Sequence, residues 1–405
     1  MERTTETILR MIRTVLFHEA LPETWDSGID WTAVLAECRR QAIVPLFVDI
    51  LPKLPLPASV FDAWKKQIVG QALQDQKLIC IQSEIDGLFR RLGIRYATLK
   101  GFAASQYYEQ PLQRTMGDID VLVLRDDVER AIEALRETGF SPEGENELYP
   151  RHIGLTKAEV HVELHRYFGI TEAENAVDAG LHRLLTVGLT AAARSIPIPG
   201  SEPSEGMTCS VFDDTRNGLI LLYHIGQHLP SGLGYRQILD FLLYAALRLD
   251  DEAWSGEFGQ YAAELELDTL AKAVVRMGQI YFGVPGKFGW CADAGDDLAA
   301  ELLDYITGQG NFGRKDGSDV AHVLNTSRGS ILSRLRYEQK SGLVHWKAAR
   351  KHAVLRPFAW IYGIGHHARV MTKRGLWKRL RGDLIASRQQ SGLLDRLNVK
   401  QRYNM

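Results

Sequence analysis

Cysteine is scarce in this sequence, and long hydrophobic runs are missing. The four cysteines are scattered over 405 residues and form no C-x-x-C pair, which argues against a cysteine-based zinc site and suggests a reducing compartment. No stretch approaches the roughly 18 uninterrupted apolar residues of a membrane span. Acidic residues also interrupt the N-terminal segment before an apolar run long enough for a signal peptide forms. These absences predict a soluble cytoplasmic protein.

The charge is nearly balanced overall but unevenly distributed. The formal net charge is −2, yet residues 328–405 contain 18 Lys and Arg against three acids, Glu338, Asp383 and Asp395. That segment therefore carries +15 and the remainder −17. A segment this basic commonly contacts nucleic acid, anionic lipid or the acidic body of its own protein.

Hydrophobic periodicity divides the chain into four stretches. They are an N-terminal helical region at 1–92, an α/β core at 93–196, a helical domain at 207–327 and a basic tail at 328–405. Helical spacing of apolar residues continues up to Gly93, which predicts a long helix that ends at this glycine. The Pro/Gly/Ser-rich segment 197–206 separates the core from a part that is predicted to be helical throughout.

Within the core, the pattern predicts strand, helix, strand, helix, strand. The first strand is "IRYATL" at 94–99, followed by the turn Lys100-Gly101 and a short helix. The second begins "DIDVLV", and Asp126 or Asp127 is expected to cap the helix that follows it. The third, "AEVHVELHRYF" at 158–168, alternates polar and apolar residues.

Three acidic residues on these strands are the candidate site. Asp118 and Asp120 alternate along a strand, so they project from one face about 6.5 to 7 Å apart and repel each other. Such a pair requires a metal or basic partners, unless it lies in a solvated turn. Glu163 faces outward with His161 and His165. If the two strands pair, three carboxylates converge, and such a group binds divalent cations that align phosphoryl transfer.

The core resembles a known superfamily. The segments "TLKGFAASQYYEQPLQRTMGDIDVLV" and "VHVELHRYF" are similar to the DNA polymerase β-like nucleotidyltransferases, in particular to a branch called uncharacterised nucleotidyltransferases, known mainly from bacterial genomes. The resemblance is strong over roughly residues 80–170 and extends to about 320. It implies an α+β fold, in which a small core of mixed sheet and flanking helices is embedded between helical N- and C-terminal regions.

The resemblance also implies roles for individual residues. Asp118 and Asp120 would bind metal, and Glu163 would complete the triad and assist deprotonation of the acceptor. Lys100 and Gly101 would hold the triphosphate, although Phe102 follows Gly101 where the superfamily usually has a second glycine or a serine. Two further candidates for nucleotide binding are Arg114 and His165. Arg114 would reach phosphate or simply neutralise the acids, and His165 would position nucleotide or metal or serve as a hydrogen-bonded structural histidine.

The function implied is transfer of a nucleoside monophosphate from an NTP to an acceptor hydroxyl, with release of pyrophosphate. Mg²⁺ is the expected cofactor, as two ions, and Mn²⁺ is an alternative. Members of this branch often lie near polysaccharide-biosynthesis genes, but the sequence identifies no acceptor. One alternative is a catalytically inactive nucleotide-binding regulator or scaffold. A second is a nucleic-acid-binding protein that uses the basic tail, and the lack of a recognised nucleic-acid motif argues against it.

Three further patterns lie in the helical part. His224 and His228, in "HIGQH", lack the glutamate of a metalloprotease signature, so they are predicted to pack a helix or line an acceptor site. Arg236 and Asp240 have the i, i+4 spacing of an ion pair, with contact to the substrate as the alternative. The segment "GQGNFG" at 308–313 follows a helical pattern rather than a strand, which argues against a dinucleotide fingerprint.

The basic tail has two interpretations. Trp360, Ile361, Tyr362 and Ile364 are surrounded by cationic residues, and Trp377 lies beside Lys378 and Arg379. This combination suits a helix that lies on anionic lipid, peripheral to the inner face of a membrane. The alternative is a tail folded onto the acidic body, with its apolar residues in the core.

Overall fold

The chain forms a seven-stranded mixed sheet flanked by helices. A computed structural model describes residues 2–143, 152–168, 176–191, 193–202, 206–286, 288–310, 335, 338–339, 342–343, 346–373 and 392–399. The architecture confirms the predicted α+β class. No described helix is both long and apolar enough to cross a membrane.

The helices and strands are numbered in chain order. The helices are α1 Arg3–Phe17, α2 Trp31–Arg40, α3 Ala58–Leu92, α4 Gly101–Ser105, α5 Val128–Glu137, α6 Ala176–Ala191, α7 Asp214–His228, α8 Tyr235–Arg248, α9 Asp251–Ala253, α10 Gly259–Glu264, α11 Asp268–Met277, α12 Asp296–Gln309, α13 Lys347–Lys351 and α14 Ala359–Lys373. The strands are β1 Tyr96–Leu99, β2 Asp118–Val123, β3 Ser141–Pro142, β4 His152–Lys157, β5 Val160–His165, β6 Arg194–Pro197 and β7 Thr208–Val211.

The three strands predicted from the sequence form the centre of the sheet. The strand order is β3-β4-β5-β2-β1-β7-β6. Strand β2 pairs with β1 in antiparallel and with β5 in parallel orientation. The prediction that the chain is helical throughout beyond residue 206 is wrong for β7, which pairs in parallel with β1. Because β7 has only four residues and alternates Thr and Ser with Cys209 and Val211, its apolar signal is weak.

Strand β5 has the two faces that its alternation predicts. Val160, Val162 and Leu164 are fully buried in the hydrophobic cluster beneath the sheet, together with side chains from α3 and α5. The predicted start at residue 158 is two residues too early. Residues 158 and 159 form the turn from β4 to β5, and both have positive φ angles, 50° and 64°. This geometry matches the right-handed twist of a tight hairpin.

The predicted end of α3 is confirmed, whereas the predicted cap of α5 is wrong. Helix α3 ends at Gly93, as predicted, where a φ of 65° lets the backbone N–H turn back to the carbonyls of Phe89 and Arg90. Asp127 occupies the residue before α5, but its side chain makes no capping hydrogen bond. Its carboxylate lies 2.9 Å from Arg130 instead, because residues 125–127 already form a 3₁₀ turn that leads into the helix.

A second, larger hydrophobic cluster fills the helical part and includes the end of the basic tail. Leu393, Leu394 and Leu397 are buried in this cluster. Arg396 contacts Asp297 at 2.9 Å and Glu301 at 2.5 Å, both on α12. This short part of the tail therefore folds onto the acidic body, as one of the two interpretations predicts.

Some sequence predictions fall outside the described residues. The segment 308–313 begins in the last residues of α12, so it continues a helix and not a strand, and its residues 311–313 are not among those described. The same is true of Trp377, Lys378 and Arg379 and of the boundary predicted between 327 and 328. The division into four regions stays a prediction.

One buried acid in α3 predicts a pH-dependent stability. Asp75 is 1% exposed, and its Oδ1 accepts a hydrogen bond from Gln71 at 2.8 Å. Burial raises its pKa from 3.8 to about 6. Since the folded state binds this proton more tightly than the unfolded state, the contribution of Asp75 to stability is highest below pH 4 and is lost as the pH rises through 6. We expect Asp75→Asn to stabilise the protein at pH 7, relative to pH 4, by up to roughly 3 kcal/mol.

Urea unfolding of both proteins at the two pH values measures this difference. Asp126→Asn, a change at an exposed acid, is the control and should unfold as the wild type does at both values. An equal effect of Asp75→Asn at pH 4 and pH 7 would contradict the assignment.

Candidate functional site

A cavity of about 260 Å³ lies between the sheet and the helices α7 and α8. All seven residues that the sequence proposes as site residues line it, although they come from four separate segments. The lining residues are Lys100, Gly101, Arg114, Gly117, Asp118, Asp120, His152, Glu163, His165, Phe168, His224, Gln227, His228 and Arg236.

The register of two strands brings the three acids together. In the parallel pair of β2 and β5, Asp120 lies directly opposite Glu163, and Asp118 lies opposite His161. The two aspartates share one face of β2 because side chains alternate along a strand. The condition on which the sequence prediction depended, that the two strands pair, is therefore met.

Asp120 is the most enclosed of the three acids. It is 3% exposed, and its Oδ1 lies 2.9 Å from Lys100 Nζ and 2.9 Å from His165 Nε2. Burial raises the pKa of this carboxyl, but Lys100 and His165 outweigh burial and hold it below its ordinary value. The pKa of Lys100, which burial lowers, is raised overall by Asp120 and Asp118. Asp120 is thus ionised, compensated by the Lys100 ammonium and in hydrogen-bond contact with His165.

Glu163 is connected to Asp120 through a histidine. His165 Nε2 lies 3.3 Å from Glu163 Oε2, so one imidazole bridges the two carboxylates. Burial lowers the pKa of His165, but its hydrogen bonds to Asp120 and Glu163 raise it overall. Burial raises the pKa of Glu163, and the bond from His165 lowers it overall. The histidine therefore keeps both acids ionised.

Asp118 lies at the mouth of the cavity and is the least compensated acid. Its side chain is exposed to the solvent that enters the cavity. Its pKa is raised, first by removal from bulk water and then by the charge of Asp120, despite the opposing effect of Lys100. A nearby positive charge would favour the ionised form of this carboxyl.

The turn from β1 to α4 has an uncommon backbone. Lys100 adopts φ 48° and ψ −128°, a region that residues other than glycine rarely occupy, and Gly101 follows with φ 24°. Such strain persists where the surrounding structure imposes it, often at functional sites. Phe102, which replaces the usual glycine or serine, is 2% exposed and belongs to the cluster beneath the sheet. Its side chain thus contributes to the core.

The ion pair predicted between Arg236 and Asp240 is replaced by another. Among the described residues, Asp240 pairs with Arg114, whose Nε and Nη2 lie 2.7 and 2.8 Å from the two carboxylate oxygens. Tyr108 also donates to Asp240. Both charged partners are buried. Arg114 lines the cavity as expected, but its guanidinium is held by Asp240.

Arg236 lies in the cavity wall and does not form the predicted ion pair with Asp240. One guanidinium nitrogen donates to the carbonyl of Thr115 at 3.2 Å, while the buried Nε has no hydrogen-bond partner within the described part of the chain. Burial and the nearby charge of Arg114 lower its pKa. Arg236 therefore places an incompletely satisfied cation in the wall of the cavity.

His224 and His228 lie together on the α7 wall, as their spacing predicts. Their ring centroids are 4.4 Å apart. Burial and the charge of Lys100 lower the pKa of His228 to about 4, and burial and the neighbouring His228 lower that of His224. Both imidazoles are therefore neutral at pH 7, which gives this wall uncharged polar groups.

Two overlapping sets of side chains offer ligands for a metal. Asp118, Asp120 and Glu163 provide carboxylate oxygens, which hard cations such as Mg²⁺ prefer. His152, Glu163 and His165 provide ligand atoms within 4.8 Å of one another, and a set with two imidazoles suits softer transition metals.

Comparison with known protein families identifies the family to which this chain belongs. A family model described as an uncharacterised nucleotidyltransferase matches residues 27–283. The chain belongs to this family. The match includes every residue that lines the cavity, and it confirms the resemblance seen in the sequence. A search of curated proteins found no match.

The nucleotidyltransferase is thus an enzyme of the class that transfers phosphorus-containing groups. Its family implies an NTP as substrate. The matched region spans the strands β1 to β7 and the helices α7 and α8, so the sheet and the helical wall belong to one family unit.

The pair of Arg114 and Asp240 predicts a structural effect. Removing one partner leaves a buried charge without compensation, so Arg114→Gln should lower the free energy of unfolding of the nucleotidyltransferase by about 3 kcal/mol. Arg194→Gln is the matched control, because Arg194 forms an exposed pair with Asp214 whose loss costs less than about 1 kcal/mol. Chemical denaturation measures both changes. Unchanged stability with weaker NTP binding would show instead that Arg114 serves the nucleotide.

Proposed function

We propose that this nucleotidyltransferase transfers a nucleoside monophosphate from an NTP to an acceptor hydroxyl in a metal-dependent reaction that releases pyrophosphate. The observation that supports this proposal is the convergence of Asp118, Asp120 and Glu163 on one cavity. That cavity also contains the cations Lys100 and Arg236. An acidic cluster with Lys100 beside Asp120 and Arg236 in the opposite wall suits a triphosphate that binds together with metal.

The carboxylates fit the proposed cofactor. Their oxygens are hard ligands, and burial followed by the charge of Asp120 raises the pKa of Asp118, a repulsion that a divalent cation would offset. We assign Asp118, Asp120 and Glu163 as the ligands of Mg²⁺, as two ions, with Mn²⁺ as a substitute. When bound, the metal neutralises charge on the phosphates and orients the reacting oxygens.

The chain supplies further groups for the triphosphate. Lys100 and Arg236 reach the cavity from the sheet and from α8, so they would contact phosphate oxygens from two sides. The backbone of Gly101 lies at the same turn as Lys100 and offers an N–H group. His165 holds Asp120 and Glu163 in position, and Arg114 orients α8 through Asp240.

In the proposed step, the acceptor oxygen forms a bond to the α-phosphorus while the bond from that phosphorus to the bridging oxygen breaks. Pyrophosphate leaves with the electron pair of that bond. The hydroxyl proton passes to Glu163, which its contact with His165 keeps ionised, and then to solvent.

The helical wall suits an uncharged acceptor. His224, Gln227 and His228 line the cavity on α7, and their neutral polar atoms both donate and accept hydrogen bonds. A hydroxyl-rich molecule would satisfy such a surface. We therefore propose a polyol or sugar acceptor, in keeping with the association with polysaccharide biosynthesis that the sequence resemblance suggests.

Substitution of the three acids tests the proposed function. Asp118→Asn and Glu163→Gln should each reduce Mg²⁺-dependent NTP turnover at least about a thousandfold, because each removes several kcal/mol of transition-state stabilisation. Asp118→Asn should not destabilise the metal-free protein, since it removes a repelling charge. Asp120→Asn should also abolish turnover, but it removes the partner of buried Lys100 and should lower the melting temperature.

Pyrophosphate release is the measurement, and Glu159→Gln is the control. Glu159 lies in the turn before β5 and forms an exposed ion pair with Lys77, so its loss should not change turnover. Full Mg²⁺-dependent activity in Asp118→Asn and Glu163→Gln would eliminate the proposed site.

Substitution of Arg236 tests the proposed contact with the triphosphate. Arg236→Gln should raise the KM for NTP at least about tenfold with a smaller change in kcat, because it removes a contact made before and during transfer. The free energy of unfolding should change little, because the Nε of this guanidinium has no hydrogen-bond partner among the described residues. Arg248→Gln changes an exposed arginine on the same helix and is the control. Steady-state kinetics with equal KM in both variants would exclude a phosphate contact.

A further inference from the structure

Exposed apolar side chains are concentrated in one short part of the basic tail. Of the fourteen large hydrophobic residues that the described structure exposes, six lie within 354–364. They are Val354, Phe358, Trp360, Ile361, Tyr362 and Ile364. Scattered exposed apolar residues need no explanation, but a contiguous group marks an interaction surface.

Three of these side chains form one face of α14, whereas Val354 and Phe358 lie in the 3₁₀ segment that precedes the helix. Consecutive residues in a helix are 100° apart, so Trp360, Ile361 and Ile364 fall within one 100° arc. The other side of the helix is covered. Ala359 is fully buried, and a Cβ added at Gly363 would lie 2.3 Å from the carbonyl oxygen of Glu338. The helix thus packs through its small residues and presents its large apolar ones outward.

Folding of the tail onto the body leaves this face uncovered. The body contacts described above are made by Leu393, Leu394, Leu397 and Arg396, at the far end of the tail. Ile361 remains 52% exposed and Ile364 46% exposed. The interpretation of a tail folded onto the body therefore accounts for residues 393–397 but not for the exposed side chains of α14.

Cations surround the apolar face. Lys351, Arg356 and Arg369 are exposed at positions that flank it, and the whole segment from residue 328 carries +15. The partner that covers this face must offer negative charge next to an apolar interior. Anionic lipid has both properties. Single-stranded nucleic acid offers charge and bases that stack on aromatic rings, but it offers nothing to Val354, Ile361 and Ile364.

We propose that the face of α14 formed by Trp360, Ile361 and Ile364 binds the surface of an anionic membrane, together with the exposed Val354 and Phe358 of the preceding segment. The helix lies in the interface with its apolar side chains among the acyl chains, while Arg356 and Arg369 contact lipid phosphates. None of these residues lines the cavity, so the proposed membrane binding uses side chains separate from those proposed for nucleotidyl transfer.

Flotation of the full-length protein with vesicles tests this proposal. The vesicles contain phosphatidylcholine with phosphatidylglycerol, or phosphatidylcholine alone. The variants are Ile361→Ser with Ile364→Ser, which removes apolar side chains, and Arg356→Gln with Arg369→Gln, which removes charge. Leu73→Ser is the control, because Leu73 is 65% exposed on α3 and far from the tail in sequence. Deletion of the tail is a poor test, since Leu393 and Leu397 belong to the core.

We expect the wild type and Leu73→Ser to bind phosphatidylglycerol vesicles equally, and to release them as salt rises. The isoleucine variant should bind at least about tenfold more weakly with an unchanged melting temperature. The arginine variant should bind more weakly at low salt and depend less on salt. The proposal is overturned if the wild type does not bind at low salt, if the isoleucine variant binds as the wild type does, or if only an oligonucleotide binds.

Discussion

The parallel pairing of β2 with β5 is the constraint on which the site depends. It places Asp120 directly opposite Glu163, although the two residues are far apart in the sequence. A shift of one residue in this register would turn Glu163 into the core and Val162 toward the cavity. The fully buried row of Val160, Val162 and Leu164 prevents that shift, so the hydrophobic core sets the position of the acids.

Charge compensation in the cavity is incomplete at two positions. Asp120 and Glu163 are balanced by Lys100 and His165, whereas Asp118 has a raised pKa and Arg236 retains an unsatisfied nitrogen. Asp118 can therefore attract a cation, and Arg236 can attract an anionic group such as a phosphate. Preorganised charges of this kind, held in a protein cavity, are a main source of catalytic rate enhancement.

The strands at the centre of the sheet could be predicted because their alternation is strong and local. Strands β4, β6 and β7 could not, since Gly154, Pro197 and the Thr and Ser residues of β7 weaken the same pattern. The long helix α3 ends where its glycine predicts, because an αL position depends on the local backbone alone.

Long-range contacts account for most of the remaining differences. The i, i+4 spacing of Arg236 and Asp240 predicts an ion pair, yet Asp240 binds Arg114, which is 126 residues away in the sequence. No local pattern reveals that Arg114 takes the place of Arg236 as the partner of Asp240. Because of this pairing, the guanidinium of Arg236 lies in the cavity wall and not in an ion pair with Asp240. The two interpretations of the tail rely on the same basic and apolar residues, and only the packing of Leu393 and the exposure of Ile361 separate them.

The fate of the individual phosphates of the NTP tests the central claim most directly. The wild-type protein is incubated with Mg²⁺, a cell extract and each NTP labelled at either the α- or the γ-phosphorus. The account predicts that the α label becomes attached to an acceptor, while the γ label leaves in pyrophosphate. Attachment of the γ label to the acceptor, or release of the γ label as inorganic phosphate by the protein itself, would contradict nucleotidyl transfer at this site.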